Sequence, residues 1–440
     1  MVFLDVPDPI AVVTNNVNSL WLMVAAALVL IMTPGVAFFY GGMVKAKSVI
    51  SMMMMSFGAI GLVGVLWVIF GYGMSFGIPG TDGKFTNWLI KGWLLNPFSD
   101  NFLTKEFTSM DIRGFAFAGF QATFAIITVA LISGAIADRA KFGSWMVFAG
   151  IWVTLVYFPV ASWVFNFAVN SDGKLIDGGW SVFGLGVNDF AGGTAVHINA
   201  GAAGLALALV LGKRVGFKKG MSRPHNVPLT LLGAALLWFG WFGFNAGSEA
   251  AVDAISALAW INTLGAPAAA ILGWLIVEKI KDGKPTSIGA ASGAVAGLVA
   301  ITPACNILSP GWGLLLGLIV GAICCLAIEL KFKLGFDDSL DVVGIHLIGG
   351  LVGTLYIGFF GTHIGLIDRM AAGDSTPFTQ LGAQAIGGFG VGIYSFLMAA
   401  LIGWVIQKTI GFRITSEDEV AGVDTAEHGE EAYELDTVNA

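Results

Sequence analysis

The chain has 440 residues, a formal net charge of −7, 56% hydrophobic and only 12% charged residues, and a mean hydropathy of +0.81. A soluble protein of this length has too much polar surface to cover for such a composition, which leaves an integral membrane protein in the lipid bilayer. No basic patch invites nucleic acid, and the three cysteines, Cys305, Cys324 and Cys325, give no disulfide framework.

Residues 1–19 carry Asp5 and Asp8 but no Lys or Arg, which argues against a cleaved signal with its positive first region. Apolar runs of about 18 residues or more, the length a helix needs to cross hydrocarbon, then recur along the chain. The expected architecture is all-α, with about eleven transmembrane helices at about 20–43, 49–77, 114–137, 142–168, 189–211, 227–249, 256–279, 287–306, 311–331, 341–362 and 381–408.

The joining segments carry the orientation. Lys45 and Lys47 follow the first span, Arg139 and Lys141 the third, and Lys213, Arg214, Lys218, Lys219 and Arg223 the fifth. Lys279, Lys281 and Lys284 follow the seventh, Lys331 and Lys333 the ninth, and Lys408 and Arg413 the eleventh. Sixteen of the 22 basic residues thus lie after odd-numbered spans. The positive-inside rule places the N-terminus outside and the C-terminus in the cytoplasm, and an odd span count requires the same. The segment 409–440 is polar and acidic, with Glu417, Asp418, Glu419, Asp424, Glu427, Glu430 and Glu431, and reads as a cytoplasmic tail too short for a further domain.

Ionisable residues within apolar spans are costly and mark function. Only His197 and His346 lie well inside such runs; His225 is in a basic loop, His363 at the end of the tenth span and His428 in the tail. Asp189 precedes His197 by the same eight positions that separate Asp338 from His346. Eight helical residues rise about 12 Å, so two histidines entered from opposite faces of a core about 30 Å thick meet near the midplane. An inverted repeat of five spans plus five has this property. Repeat one covers about 20–211, repeat two about 227–362, and the helix at about 381–408 completes the transmembrane domain, 1–408. Asp189 and Asp338 read foremost as helix N-caps, with a proton-handling role as the alternative.

The residues around these positions resemble a known family. Asp189-Phe-Ala-Gly-Gly-Thr-Ala-Val-His197-Ile-Asn199 is similar to the fifth-span signature of the Amt/Mep/Rh ammonium transporters, and of the Amt branch in particular. Phe120-Gln121-Ala-Thr-Phe124, Gly240-Trp-Phe-Gly-Phe244-Asn-Ala-Gly-Ser248, Ile301-Thr302-Pro303-Ala304 and the run from Asp341 to His346 match further motifs in family order. The tail from Gly422 to Tyr433 resembles the family's C-terminal motif. The resemblance implies a homotrimer with one narrow pore per subunit, and ammonium or ammonia as substrate with methylammonium as a candidate analogue. It implies no cofactor, and a PII-type signal protein as candidate regulator at the cytoplasmic face. It further implies that Phe124 and Phe244 form a stacked gate below a recruitment site of Phe120, Gln121 and Ser248, and that His197, His346, Trp241 and Thr302 line the pore. One departure stands out: six residues after the Pro of Tyr157-Phe158-Pro159, where the family usually has Trp, this chain has Phe165, a weaker cation–π partner.

These residue types suit ammonium. A bare cation in an apolar pore faces an idealised cost of tens of kcal/mol, whereas ammonium, with a pKa of about 9, loses its proton near pH 7 for about 3 kcal/mol. Aromatic faces at the mouth hold a cation by about 0.5–2 kcal/mol each, and a pair of imidazoles supplies donors and acceptors to the neutral amine. Three other readings compete: an electroneutral Rh-like channel for ammonia or carbon dioxide, an ammonium sensor, and an intramembrane enzyme. The last lacks any Ser-His-Asp spacing or metal-ligand cluster.

Overall fold

In hydrocarbon every backbone N–H and C=O must be paired within the protein, which makes a chain of this composition helical. The computed structural model describes residues 8–76, 101–169, 175–217 and 223–433. Ten of its helices are long and apolar enough to cross a membrane: α1 Pro9–Met43, α2 Ala46–Phe76, α3 Ile112–Ile136, α4 Phe142–Val164, α5 Gly193–Leu211, α6 Val227–Gly247, α7 Ala254–Asp282, α9 Pro310–Leu334, α10 Val343–Phe360 and α11 Thr379–Thr409. Between α7 and α9 lies α8, Ser287–Ile301, apolar but only 15 residues long. Its length of about 22 Å falls short of a bilayer core of about 30 Å, and turns at 302–307 continue the segment expected to be helical to 306. The expected eleven spans thus appear as ten full-length helices and this shorter one.

Polar residues at the ends set the boundaries. Asp8 accepts a hydrogen bond from Ile10 N at 3.0 Å, and Pro9 sits at the first helical position. The first helix therefore starts about eleven residues before the apolar run that announced it at 20; Asn15, Asn16 and Asn18 keep that leading stretch from reading as a span. Asp111, Asn226 and Thr286 cap α3, α6 and α8 with their side chains. Asp253 and Ser256 form a reciprocal capping box at the start of α7, and Gly283, at φ +81°, ends that helix.

Glycines let the helices approach. A Cβ on Gly317 of α9 would lie 2.0 Å from the Ala266 carbonyl of α7, and one on Gly321 2.1 Å from that of Ala270. The sixth and first helices are equally close, with Gly233 against the backbone of Phe39. The outer faces are apolar at helical spacing, as with Ile386, Phe389, Ile393 and Leu397 on α11, all more than half exposed and suited to lipid. Outside the helices, a two-stranded antiparallel sheet pairs Phe167–Val169 with Leu175–Gly178. Part of the loop 169–188, at 170–174, lies outside the described residues, as do Asp5, Lys84, Lys91, Lys174, Lys218 and Lys219.

The acidic tail packs back on the protein over its described residues. It forms two short helices, α12 Ser416–Ala421 and α13 Val423–His428, docked on the loops of one face. Asp424 accepts from Ile50 N and Ser51 N, Glu427 from Phe142 N, and Glu419 from Val215 N and Arg413.

Candidate functional site

The site is built where α5 and α10 enter the bundle. Asp189 stands in an irregular segment just before a bend at 190–191 that leads into α5, so the eight residues to His197 are not continuous helix as the spacing suggested. Its carboxylate gathers the amides of Gly192 at 3.0 Å, Gly193 at 2.5 Å, Thr194 at 2.7 Å and Ala195 at 3.1 Å, together with the Thr194 hydroxyl. These are the amides that a helix start leaves without partners. From this anchor Gly193–Ile198 runs as a π-helical turn that carries His197. Asp338 plays the corresponding part before α10, accepting from Val342 N at 3.1 Å and Val343 N at 2.7 Å, and the π-helical turn Val343–Leu347 carries His346. Burial pushes the Asp338 carboxyl above the usual carboxylate range, with Lys331 opposing the shift.

The wide π turns and two close approaches bring the histidines together. A Cβ on Gly201 would meet Leu347 N at 2.4 Å, and one on Gly350 would lie 3.2 Å from the Cβ of His197. The two Nδ1 atoms are 3.3 Å apart, and the rings are nearly parallel at 22° with centroids 5.4 Å apart. Two nitrogens at that separation share one proton, so one ring donates from Nδ1 and the other accepts. His197 Nε2 is buried without a hydrogen-bond partner among the described residues. Trp241 lies against the other side of His197, centroids 5.4 Å apart and planes at 22°, and donates from Nε1 to Thr302 Oγ1 at 2.8 Å.

Next along α6 from Trp241 stands Phe244, one ring 6.1 Å from His197. It is stacked on Phe124 with centroids 4.1 Å apart and planes 14° from parallel, and both rings are fully buried. Phe120 meets Phe124 edge-on at 4.8 Å, and Phe165 does so at 6.2 Å. Gln121, one turn from Phe124 on the same face of α3, has its Oε1 buried and without a donor among the described residues. Ser248 ends α6 with its hydroxyl turned back to the Phe244 carbonyl at 2.8 Å. Trp163 and Trp180 pack on each other, centroids 5.7 Å apart.

Beside the phenyl pair a cavity is lined by Phe244, Trp241 and the two histidines together with Ile127, Val196, Leu237, Val295, Met32, Val36, Phe39, Tyr40 and Leu131. The space open to the centre of a water-sized molecule is ≈ 10 Å³, about enough for one such molecule. Motif reading did not reach these apolar wall residues, because nothing in an apolar side chain's identity separates a pore wall from a core contact. No group of three or more His, Cys, Asp or Glu suited to a metal occurs among the described residues.

Comparison with known proteins bears on this geometry. The sequence profile of the Ammonium Transporter Family matches residues 20–433. An ammonium transporter of Mycobacterium tuberculosis is 49% identical over 445 residues, covering 97% of this chain and 92% of that one. The solved structure of a "Sensor Amt Protein" superposes with a TM-score of 0.84 at 29% identity, covering 95% of this chain and 100% of that one. Mep2 of Candida albicans follows with a TM-score of 0.77 at 31% identity, covering 95% and 90%. The chain belongs to the ammonium transporter family. It is an integral membrane protein of ammonium transport and not an enzyme.

Proposed function

We propose that this chain takes up ammonium at the face opposite its tail, strips one proton, and passes ammonia through the apolar cavity beside the histidine pair. The observation that carries this reading is the 3.3 Å contact of the His197 and His346 Nδ1 atoms in a nearly apolar passage behind the stacked Phe124 and Phe244. A cavity with room for about one water-sized molecule, with imidazoles as its main polar groups, offers a cation almost none of the solvation it leaves behind. It offers a neutral amine both a donor and an acceptor. Potassium has no proton to lose and meets the full cost.

In this reading Phe120, Gln121, Phe165 and Ser248 recruit the cation, with Phe165 as a phenyl face where the family has an indole. Phe124 and Phe244 form the gate; His197, His346, Trp241 and Thr302 line the pore. Asp189 and Asp338 hold the turns that present the histidines. The paired Asp-to-π-turn units support the inverted repeat, about 20–211 and 227–362, with the helix at about 381–408 outside it. The basic loops support a cytoplasmic tail, 409–440, and an outside N-terminus, in the cell membrane. The family resemblance supports a homotrimer, methylammonium as an analogue, and a PII-type regulator at the tail face.

The test is a double replacement, His197→Leu with His346→Leu, in protein reconstituted into liposomes. The expected result is loss of the ammonium-evoked current from a protein that still inserts and folds. A double variant with wild-type current refutes the role given to the pair.

A further inference from the structure

Helix α11 carries none of the motif residues, yet one of its side chains reaches both segments that present the histidines. Gln384 is fully buried, although the outer face of the same helix is suited to lipid. Its Oε1 accepts from Asn188 N at 2.8 Å and from Gln380 Nε2 at 3.1 Å. Its Nε2 donates to the Asn188 carbonyl at 2.8 Å and to the Thr354 carbonyl at 3.1 Å. A primary amide has two donors and two acceptor lone pairs, so every hydrogen bond open to Gln384 is made. Asn188 directly precedes Asp189, whose carboxylate anchors the turn of His197. Thr354 lies on α10, about two turns beyond His346. One side chain thus ties together the two elements that carry the histidines.

The segment at 188 is not helical, so its N–H and C=O have no intrahelical partners, and lipid supplies none. Gln384 pairs both. From the other side, Asn188 Nδ2 and Phe190 N donate to the Pro303 carbonyl at 3.0 and 3.2 Å, next to the Thr302 hydroxyl that Trp241 meets. Glycines bring α11 close. A Cβ on Gly387 would lie 2.7 Å from Val187, and one on Gly392 3.2 Å from Ile198, the residue after His197. Ser395 Oγ then donates to the Asn199 carbonyl at 2.7 Å, so α11 grips the π turn Gly193–Ile198 on both sides.

The same device recurs before α10. The carbonyl of Asp337, the residue preceding Asp338, accepts from Arg139 Nη2 at 2.5 Å, and Arg139 Nη1 donates to Ser339 Oγ at 2.5 Å. Arg139 is as deeply buried as Gln384. Each anchoring aspartate therefore follows a residue whose carbonyl is held by a buried side chain from another element. A buried polar network with its bonds made is rigid and specifies one geometry.

We infer that Gln384 is a positioning residue of the ammonium path: its amide clamps Asn188 to α10 and so sets the separation of His197 and His346, with Arg139 as its counterpart before Asp338. The inference rests on the transport reading for its effect on current, and it gives α11 a part in transport.

The experiment compares wild type, Gln384→Glu and Gln384→Leu in liposomes by two readouts. Solid-state nitrogen NMR of protein with labelled histidine reads the hydrogen bond between the two Nδ1 atoms, and a His346→Leu variant identifies that signal by its loss. The second readout is ammonium-evoked current per inserted protein over a range of concentrations. Gln384→Leu keeps about the same volume and removes all four hydrogen bonds, whereas Gln384→Glu keeps the acceptor oxygens and loses the amide donors. The signal of the pair should vanish in Gln384→Leu and weaken in Gln384→Glu. Maximal current per protein should fall about tenfold in the first and about threefold in the second, as misplacement of a working geometry by a fraction of an ångström does. The half-saturating ammonium concentration should stay unchanged, because the bonds of Gln384 go to the histidine elements and not to the recruitment residues. A merely structural role would lower the amount inserted and leave both readouts per protein as in wild type. A wild-type histidine signal or wild-type current per protein in Gln384→Leu overturns the inference; if that variant does not insert, the same values in Gln384→Glu overturn it. A wild-type protein without ammonium current overturns the transport reading, and the histidine signal alone then decides the clamp.

Discussion

A single carboxylate does much to fix the turn that carries His197. Asp189 is 8% exposed and accepts from four successive amides and a hydroxyl, so removing it strands several buried donors at once. Asp189→Ala should lower stability by about 3–5 kcal/mol, while Asp189→Asn, which keeps one acceptor oxygen, should lose less. Thermal unfolding of the detergent-solubilised protein reads the difference, and an Ala variant that melts with wild type contradicts it. At the tail face Asp337 sits in a different balance. Burial works to raise its carboxyl, but the hydrogen bonds and charge of Arg214, with Arg139 behind, hold it below the usual range. A folded value below the unfolded one contributes stability that is present above about pH 4 and lost as pH falls through the folded value. The melting gap between wild type and Asp337→Asn should therefore be wide at pH 7 and close below about pH 4. A gap that does not change with pH argues against the Arg214 pairing as its source.

Helices in this fold are held by how closely they approach. Gly317 and Gly321 on α9 lie against the carbonyls of Ala266 and Ala270 on α7, leaving no room for a side chain. Gly317→Val should force the pair apart at a cost of about 1–3 kcal/mol or more, whereas Gly311→Ala, with nothing within 4 Å, should be silent in the same unfolding assay. These spans were legible in the sequence because lipid demands apolar composition over a fixed length, and most boundaries fall within a few residues of expectation. The π-helical turns at 193–198 and 343–347 were not, because no residue pattern separates a π turn from an α turn. Nor was the start of α1 at Pro9, since hydropathy registers the apolar run and not the polar turns that precede it. At the site, the histidines and the phenyl pair stood out by residue type and motif. The cavity wall at Val36, Leu237 and Val295 did not, because its residues are ordinary apolar ones.

Across the whole molecule the tail ties together the loops of one face. It reaches the first turns of α2 through Lys47, which donates to the Val420 carbonyl, and through Asp424, which accepts from Ile50 N and Ser51 N. Glu427 takes it to α4, and Glu419 to the segment after α5. His225 and Tyr433 add a contact at 2.8 Å. These partners lie hundreds of positions away in the chain, which is why composition alone gave no sign that the segment docks. Asp424→Ala with Glu427→Ala should free it, so limited proteolysis within 410–433 should speed up severalfold or more over wild type. Cleavage at the wild-type rate would show that these carboxylates do not hold it. The account as a whole stands on the difference between an ion that can shed a proton and one that cannot. Electrical recording on the wild-type protein in liposomes, stepping ammonium and then potassium at equal concentration, tests that difference most directly. The account predicts current with ammonium and none above background with potassium; equal responses to the two ions would contradict it.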